Sequence, residues 1–151
     1  MQSEQEKFMK LAIKEAKKAY DKEEVPVGAI IVKDGKVIAR AHNLKELKND
    51  TTCHAEILAI QKASKKLNSW RLTNCQMYVT LEPCSMCAGA LINARIDKIY
   101  IGTEDPKTGA CGSVLNLLQD YKFNHTVLVE KGLLQKECEE LLKKFFKSLR
   151  K

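Results

Sequence analysis

The chain has 151 residues, of which 44% are hydrophobic and 30% charged, so one globular core is expected and disorder is not indicated. Apolar runs are too short to span a bilayer, and residues 1–7 lack the basic-then-apolar order of a signal peptide. We therefore expect a single domain over residues 1–151 in the cytoplasm. The net charge of +7 favours an anionic partner such as nucleic acid, although many soluble enzymes are mildly basic.

The chain is predicted to begin with an amphipathic helix and a hairpin. Apolar residues spaced three and four apart predict a helix over residues 4–20. Two runs rich in apolar and β-branched residues, 25–32 and 36–41, follow this helix, and Asp34 and Gly35 separate them. Asp-Gly between two such runs is a strong hairpin signal, so the sheet is expected to start with an antiparallel pair.

The middle of the chain contains a strand that leads directly into a helix. A helix is predicted over about residues 53–66, with Thr51 and Thr52 as capping residues. Residues 76–81 form an apolar run typical of a buried strand, and a helix of small residues is predicted over 84–94.

The last third continues the alternation of strands and helices. Short strands are predicted at 98–102 and 126–130, with a helix near 113–119 between them and a final helix over about 133–149. This order is typical of an α/β sheet with helices on both faces. Ligands of such sheets bind where strands lead into helices at their carboxyl ends, and residues 78–87 form such a junction.

Two short motifs about thirty residues apart indicate a zinc site. Cys84 and Cys87 form a Cys-x-x-Cys pair at the start of a helix, which places both sulfurs on one face and favours thiolates. With the imidazole of His54 they make three ligands, the number that catalytic zinc uses when water fills the fourth position. Glu56 lies two residues after the histidine, close enough to accept a proton from that water without binding the metal.

The cysteine pattern suits two further kinds of site less well. A redox-active Cys-x-x-Cys pair would leave His54 and Glu56 without a role, and a four-cysteine structural site would need a second close pair. The remaining cysteines are scattered along the chain and are interpreted as buried packing residues: Cys53, Cys75, Cys111 and Cys138.

His-x-Glu followed by Pro-Cys-x-x-Cys is the signature of zinc deaminases. Further motifs along nearly the whole chain make it similar to the bacterial tRNA adenosine deaminase family, within the zinc-dependent cytidine/deoxycytidylate deaminase superfamily. The segments that carry this resemblance are 24–30, 41–44, 54–60, 81–90, 105–109 and 145–150.

The resemblance implies a three-layer α/β/α fold of the cytidine-deaminase type, with a central five-stranded mixed sheet that starts with an antiparallel hairpin. It also implies a hydrolase that deaminates adenosine to inosine at the wobble position of a tRNA anticodon. That activity would use a zinc-activated water and a glutamate proton shuttle, without a nucleotide cofactor or a membrane. The family is expected to act as a homodimer with one Zn²⁺ per subunit. Carried onto this sequence, the metal ligands are His54, Cys84 and Cys87, and the proton shuttle is Glu56.

The resemblance also implies a set of substrate-binding residues. Asn43 would hydrogen-bond the flipped base and Val27 would pack on its ring, although an asparagine in a loop is also typical of a turn. Asp105 and Lys107 would contact the anticodon loop, where a carboxylate can accept a hydrogen bond from a ribose 2′-hydroxyl. Two residues of the last helix are expected to touch RNA, although the aromatic one is equally typical of a core: Phe146 and Arg150.

Two alternative functions remain open from the sequence. The first is a deaminase of the same fold that acts on a free base or nucleoside, such as guanine or cytidine, because the signature encodes the zinc chemistry and not the substrate. The second is a non-catalytic RNA-binding module that zinc stabilises. Glu56 argues against the second, because a structural zinc site does not need a free carboxylate beside it.

Overall fold

The computed structural model describes residues 3–119 and 122–149. Its strands form one five-stranded sheet of order β2-β1-β3-β4-β5, in which β1 pairs antiparallel with β2 and β3 while β3, β4 and β5 run parallel. The strands are β1 (Gly28–Lys33), β2 (Lys36–His42), β3 (Cys75–Leu81), β4 (Lys98–Thr103) and β5 (Leu128–Lys131). The helices are α1 (Glu4–Asp21), α2 (Ala55–Leu67), α3 (Ser85–Ala94) and α4 (Gln135–Leu149).

The sheet separates two layers of helices. Alternate side chains of a strand point to opposite faces, so Ile30 and Tyr78 pack with α1 and α4, whereas Ile31, Met77 and Val79 pack with α2 and α3. β3 is therefore buried on both faces, which explains its continuous apolar sequence. The three-layer α/β/α architecture with a mixed five-stranded sheet is confirmed.

The hairpin between β1 and β2 forms where the sequence predicts it. Asp34 and Gly35 have φ angles of 51° and 74°, and Lys33 pairs with Lys36 across the turn. Positive φ at both central residues is the requirement of a type I′ turn, which matches the twist of the two strands.

Residues 113–119 do not form the predicted helix. The Gly112 N–H donates to the Leu115 carbonyl and the Leu117 N–H donates to the Ala110 carbonyl, so the chain folds back in tight turns. The N–H of Ser113 donates to the side chain of Glu82. Because the Leu117 N–H bonds to Ala110 and not to the Ser113 carbonyl four residues back, the helical ladder does not form.

The predicted cap of α2 is also wrong. Thr52 bonds through both its N–H and its hydroxyl to the Asp50 carboxylate, and His54 occupies the N-cap position without a side-chain capping bond. α2 consequently begins at Ala55. The His54 side chain does not cap the helix and lies beside Cys84 and Cys87.

Three further predicted segments start two or three residues later than predicted, and one of them is β5, which begins at Leu128 and not at residue 126. β1 begins at Gly28 and not at Val25, and α4 begins at Gln135 because Leu134 adopts a positive φ of 52°. The scattered cysteines are all buried and free, as predicted: Cys53, Cys75, Cys111 and Cys138. In the described part of the chain, no helix has the length and apolar character needed to cross a membrane.

Candidate functional site

The candidate site lies where β3 ends and two helices begin. Cys84 is the N-cap residue of α3 and Cys87 lies in its first turn, while His54 is the N-cap residue of α2. Both helices therefore direct their N-termini, which carry a partial positive charge, toward the same point. This environment stabilises thiolate groups.

His54, Cys84 and Cys87 form a group that could hold a metal ion, with their donor atoms all within 4.8 Å of one another. The Nδ1 of His54 lies 3.7 Å from the Sγ of Cys84 and 3.5 Å from the Sγ of Cys87. A tetrahedral zinc ion with Zn–N of about 2.1 Å and Zn–S of about 2.3 Å separates nitrogen from sulfur by about 3.6 Å. Both the donor atoms and their spacing therefore fit such an ion.

The two thiols differ in acidity. A hydrogen bond from Cys87, together with the neighbouring His54, lowers the pKa of Cys84 to about 4. The pKa of Cys87 is raised because its thiol donates to Cys84 and is buried, and the bond to Cys84 raises the pKa of His54. The two thiols thus share one proton between them, which lowers the pKa of one thiol and raises the pKa of the other.

Glu56 lies beside this group in the first turn of α2. Only 4% of the residue is exposed. Burial raises the pKa of its carboxyl group to about 7, against a smaller opposing effect of its own backbone N–H and of His54. A carboxyl group of this kind can both accept and release a proton near neutral pH.

A cavity of about 190 Å³ opens onto the group. This volume is below the range of about 300–1,000 Å³ typical of drug-sized ligands, and it suits a single planar ring system. Three of the substrate-binding residues predicted from the sequence line it together with His54, Glu56 and Cys84: Val27, Asn43 and Asp105.

The side chain of Asn43 is held in a defined orientation at the cavity wall. Its Nδ2 donates to the Val25 carbonyl at 3.3 Å, and its Oδ1 accepts from the Lys45 N–H at 3.2 Å. The amide has a further donor and a further acceptor position, since its nitrogen has two hydrogens and its oxygen has two lone pairs. Asn43 thus combines its role in the loop with the capacity to bond a ligand.

A second, wider groove adjoins the cavity and lies between the loop around Asp105 and helix α4. Lys107 and Phe146 line this groove, and Phe146 is 44% exposed and not part of the core. Asp105 itself caps the loop, since its carboxylate accepts bonds from the N–H groups of Lys107 and Thr108. Arg150, which the resemblance also places at the RNA, lies outside the described residues.

Two buried carboxylates at the cavity are not assigned a role by the sequence motifs. Glu24 is 1% exposed and accepts from the N–H groups of Glu46 and Leu47, and Glu82 is 2% exposed and accepts from the loop around Asp105. Each lies within a segment that carries the family resemblance, but its partners are distant in sequence. The sequence signal that could have identified them is their position directly beside an apolar segment. A carboxylate buried there needs hydrogen-bond donors from elsewhere in the fold.

Comparison with known proteins identifies the family. Residues 3–150 match the family model of the MafB19-like deaminases. The chain is 51% identical over 149 residues to the tRNA-specific adenosine deaminase of Bacillus subtilis strain 168, covering 99% of this chain and 92% of that protein. It is 50% identical over 145 residues to the tRNA-specific adenosine deaminase of Aquifex aeolicus strain VF5, covering 96% of this chain and 95% of that protein.

Solved structures agree with this result. A structure from work on A-to-I editing by tRNA:A34 deaminases at the wobble position of transfer RNA matches with a TM-score of 0.87 at 45% identity, covering 90% of this chain and 99% of that chain. The guanine deaminase of Nitrosomonas europaea matches with a TM-score of 0.82 at 22% identity, covering 93% of this chain and 83% of that chain. The second match shows a shared fold alone.

The fold and the site define a deaminase with a His/Cys/Cys group able to hold a metal ion. Within this class, the chain belongs to the tRNA-specific adenosine deaminase family. The resemblance drawn from the sequence motifs is confirmed.

Proposed function

We propose that this chain hydrolyses adenosine to inosine and ammonia at the wobble position of a tRNA anticodon, and that His54, Cys84 and Cys87 hold one Zn²⁺ ion. The observation that carries the chemistry is the buried carboxylate of Glu56 in the same cavity as the three donor atoms. The substrate is inferred from the identity of about half the residues to tRNA-specific adenosine deaminases over nearly the full chain.

Glu56 acts as the proton shuttle. When bound by His54, Cys84 and Cys87, a zinc ion would supply a hydroxide nucleophile near neutral pH, because zinc lowers the pKa of water to about 7. Glu56 would accept the proton released from the water and deliver it to N1 of adenine. It would then take the proton of the hydroxyl group formed at C6 and pass it to the C6 amino group, so that the C6–N bond breaks, ammonia leaves and the carbonyl of inosine forms. Its position supports this role, since it opens onto the cavity and is not one of the three clustered donors. One carboxylate thus serves first as base and then as acid.

Asn43 and Val27 bind the base. The adenine leaves the stack of the anticodon loop at a cost of a few kcal/mol and enters the cavity. Asn43 lines that cavity with its amide already oriented by Val25 and Lys45, so little side-chain freedom is lost when it bonds the ring. Val27 lines the same cavity and packs against the ring.

The nucleotides beside the base lie along the groove between the Asp105 loop and α4. Lys107 contacts a phosphate, Asp105 favours a ribose over a deoxyribose, and Phe146 offers an aromatic face, with Arg150 as a further contact at the end of the chain. The net charge of +7 supports an RNA partner.

The assembly rests on the resemblance alone, and the cellular location is the expectation drawn from the sequence. We propose a homodimer of single-domain subunits with one zinc ion each, acting in the cytoplasm. Light scattering on the purified protein and metal analysis test the stoichiometry.

The decisive experiment compares substrates. Zinc-loaded protein is incubated in parallel with total tRNA, adenosine, cytidine and guanine, and both ammonia and inosine are followed, with the Glu56→Gln variant as control. Inosine in tRNA that depends on Glu56 is the expected result. Activity on guanine, cytidine or free adenosine alone would favour the free-base or nucleoside alternative. Binding of tRNA without deamination of any substrate would favour a non-catalytic RNA-binding module.

A further inference from the structure

The carboxylate of Glu82 is buried where the metal-bearing turn meets the loop of residues 105–113, which we call the flanking loop. Glu82 directly follows β3, is 2% exposed, and is separated from Cys84 by one proline. Its side chain accepts hydrogen bonds from the N–H groups of Asp105 at 3.1 Å, Cys111 at 2.9 Å and Ser113 at 3.1 Å, and from the Ser113 hydroxyl. One carboxylate therefore holds both ends of the loop.

The flanking loop is attached to the metal-bearing turn by a backbone contact as well. The Ala110 N–H donates to the Pro83 carbonyl at 2.9 Å. Pro83 is followed by Cys84, and Cys84, Glu82 and Asp105 line the same cavity. Displacement of Glu82 would thus change the distance between the metal-binding group and the loop that carries Asp105 and Lys107.

The local geometry requires a carboxylate and a glycine. Every hydrogen-bond partner that the structure shows for the Glu82 side chain is a donor, so an ionised carboxylate satisfies all of them, whereas an amide would turn its own N–H groups toward some of them. Gly109 packs against this carboxylate so closely that an added Cβ would lie 2.5 Å from the Glu82 Cδ. The loop and the side chain are therefore in direct contact on several sides.

We propose that Glu82 is a positioning residue that sets the flanking loop against the metal-bearing turn and so determines how tightly the enzyme holds the nucleotides beside the reacting base. This inference rests on the proposed function, because the flanking loop is taken to contact RNA. The side-chain partners of Glu82 are Asp105, Cys111 and Ser113, so it acts through the flanking loop. Its loss should weaken substrate binding more than it slows the chemical step.

The test compares Glu82→Gln with the parent protein, using an anticodon stem-loop as substrate, together with metal analysis and hydrogen exchange. In Glu82→Gln we expect a KM about 10- to 100-fold higher, since small displacements of positioning groups have effects of this size. We expect kcat to stay within about threefold and the metal content to be unchanged. The amides of Asp105, Cys111 and Ser113 should exchange about tenfold faster.

Two further variants separate positioning from general instability. Gly109→Ala leaves Glu82 intact but forces the loop away from it, and should reproduce the rise in KM. Ser113→Ala removes the hydroxyl contact while the three backbone bonds remain, and should change KM by less than about threefold. If Glu82→Gln does not fold, Gly109→Ala still tests the proposal.

Several results would overturn the proposal: unchanged KM in both Glu82→Gln and Gly109→Ala, a fall in kcat without a change in KM, or loss of the metal. If the parent protein deaminates neither the stem-loop nor tRNA, the proposed function fails, and hydrogen exchange alone decides the role of Glu82. Unchanged exchange in the flanking loop of Glu82→Gln would then contradict it, and faster exchange would support it.

Discussion

The Sγ of Cys87 lies 3.5 Å from the Nδ1 of His54 across 33 positions of the chain. Neither residue is near the other in sequence, and they meet because α2 and α3 start at the same edge of the sheet. This contact completes a three-donor group beside the carboxylate of Glu56.

Cys87→Ala should lose the metal, because the remaining imidazole and single thiolate cannot complete a three-ligand site. Elemental analysis should find about one zinc per parent chain and far less in the variant. A chelator should abolish activity and added zinc should restore it. Cys138→Ala is the matched control. Cys138 belongs to α4 and is buried in the cluster on the α1 and α4 face of the sheet, so its substitution should leave the metal content unchanged. Full zinc occupancy in Cys87→Ala would contradict the ligand assignment.

Glu56→Gln should keep its metal and lose turnover by at least about 100-fold, since a positioned proton-transfer group contributes about 10²–10⁴. Glutamine has nearly the same shape but cannot accept and pass on the proton. Inosine formation under saturating substrate measures the effect, and metal analysis confirms that the site is intact. Glu140→Gln, on the exposed side of α4, serves as control. A fully active Glu56→Gln enzyme would show that another group moves the proton.

Gly28→Ala should destabilise the fold. A Cβ at this position would lie 2.0 Å from the carbonyl oxygen of Ala12 and 2.5 Å from the backbone nitrogen of Ala16, so α1 would have to move away from β1. The expected loss is about 1–3 kcal/mol in the free energy of unfolding, or more if the helix cannot adjust. Urea unfolding measures it. Lys14→Ala, on the exposed face of α1, should change the value by less than about 0.5 kcal/mol. Equal effects of the two substitutions would argue against the close packing of α1 on β1.

Glu15 should make stability depend on acid pH. Burial raises its pKa, but hydrogen bonds with Lys18 and His42, at 2.7 and 2.9 Å, outweigh burial and hold the pKa below the ordinary value of 4.5. Because the folded-state pKa lies below the unfolded one, ionised Glu15 stabilises the fold at pH values above 4.5, and this contribution is lost as the pH falls through the folded-state pKa.

Unfolding of the parent and of Glu15→Gln should therefore be compared between about pH 3 and pH 8. The difference in unfolding free energy should be largest near neutral pH and shrink as the solution becomes acidic. A difference that stays constant over this range would attribute the loss to packing and not to the ionised carboxylate.

Lys107→Ala should weaken RNA binding in a salt-dependent manner. If Lys107 neutralises one phosphate, its removal lowers the slope of log K against log salt by about one. Binding of an anticodon stem-loop at several salt concentrations measures the slope. Lys65→Ala, on the exposed side of α2, is a control of equal charge and should not alter it. An unchanged slope in Lys107→Ala would show that Lys107 does not contact a phosphate of the RNA.

Much of the fold follows from short-range patterns. The Asp34-Gly35 turn, the amphipathic helices and the apolar run of β3 each depend on neighbouring residues, and all are found close to their predicted positions. The segment with the largest error shows where such patterns fail. Residues 113–119 lack a helix because the Leu117 N–H donates to the Ala110 carbonyl and not to the Ser113 carbonyl, and such partners outside the segment outweigh local helix propensity there.

The sequence by itself predicted the chemistry, because the residue types and spacings of His54, Glu56, Cys84 and Cys87 match the signature of zinc deaminases. Only the tertiary structure decided how that chemistry is enclosed. It brings Asn43 and Asp105 to one cavity, leaves Phe146 exposed at its edge, and directs the buried carboxylates of Glu24 and Glu82 to the backbone of two loops. A buried charge must find hydrogen-bond donors, and those donors come from loops that are distant in sequence and become neighbours only when the sheet and its two helical layers assemble.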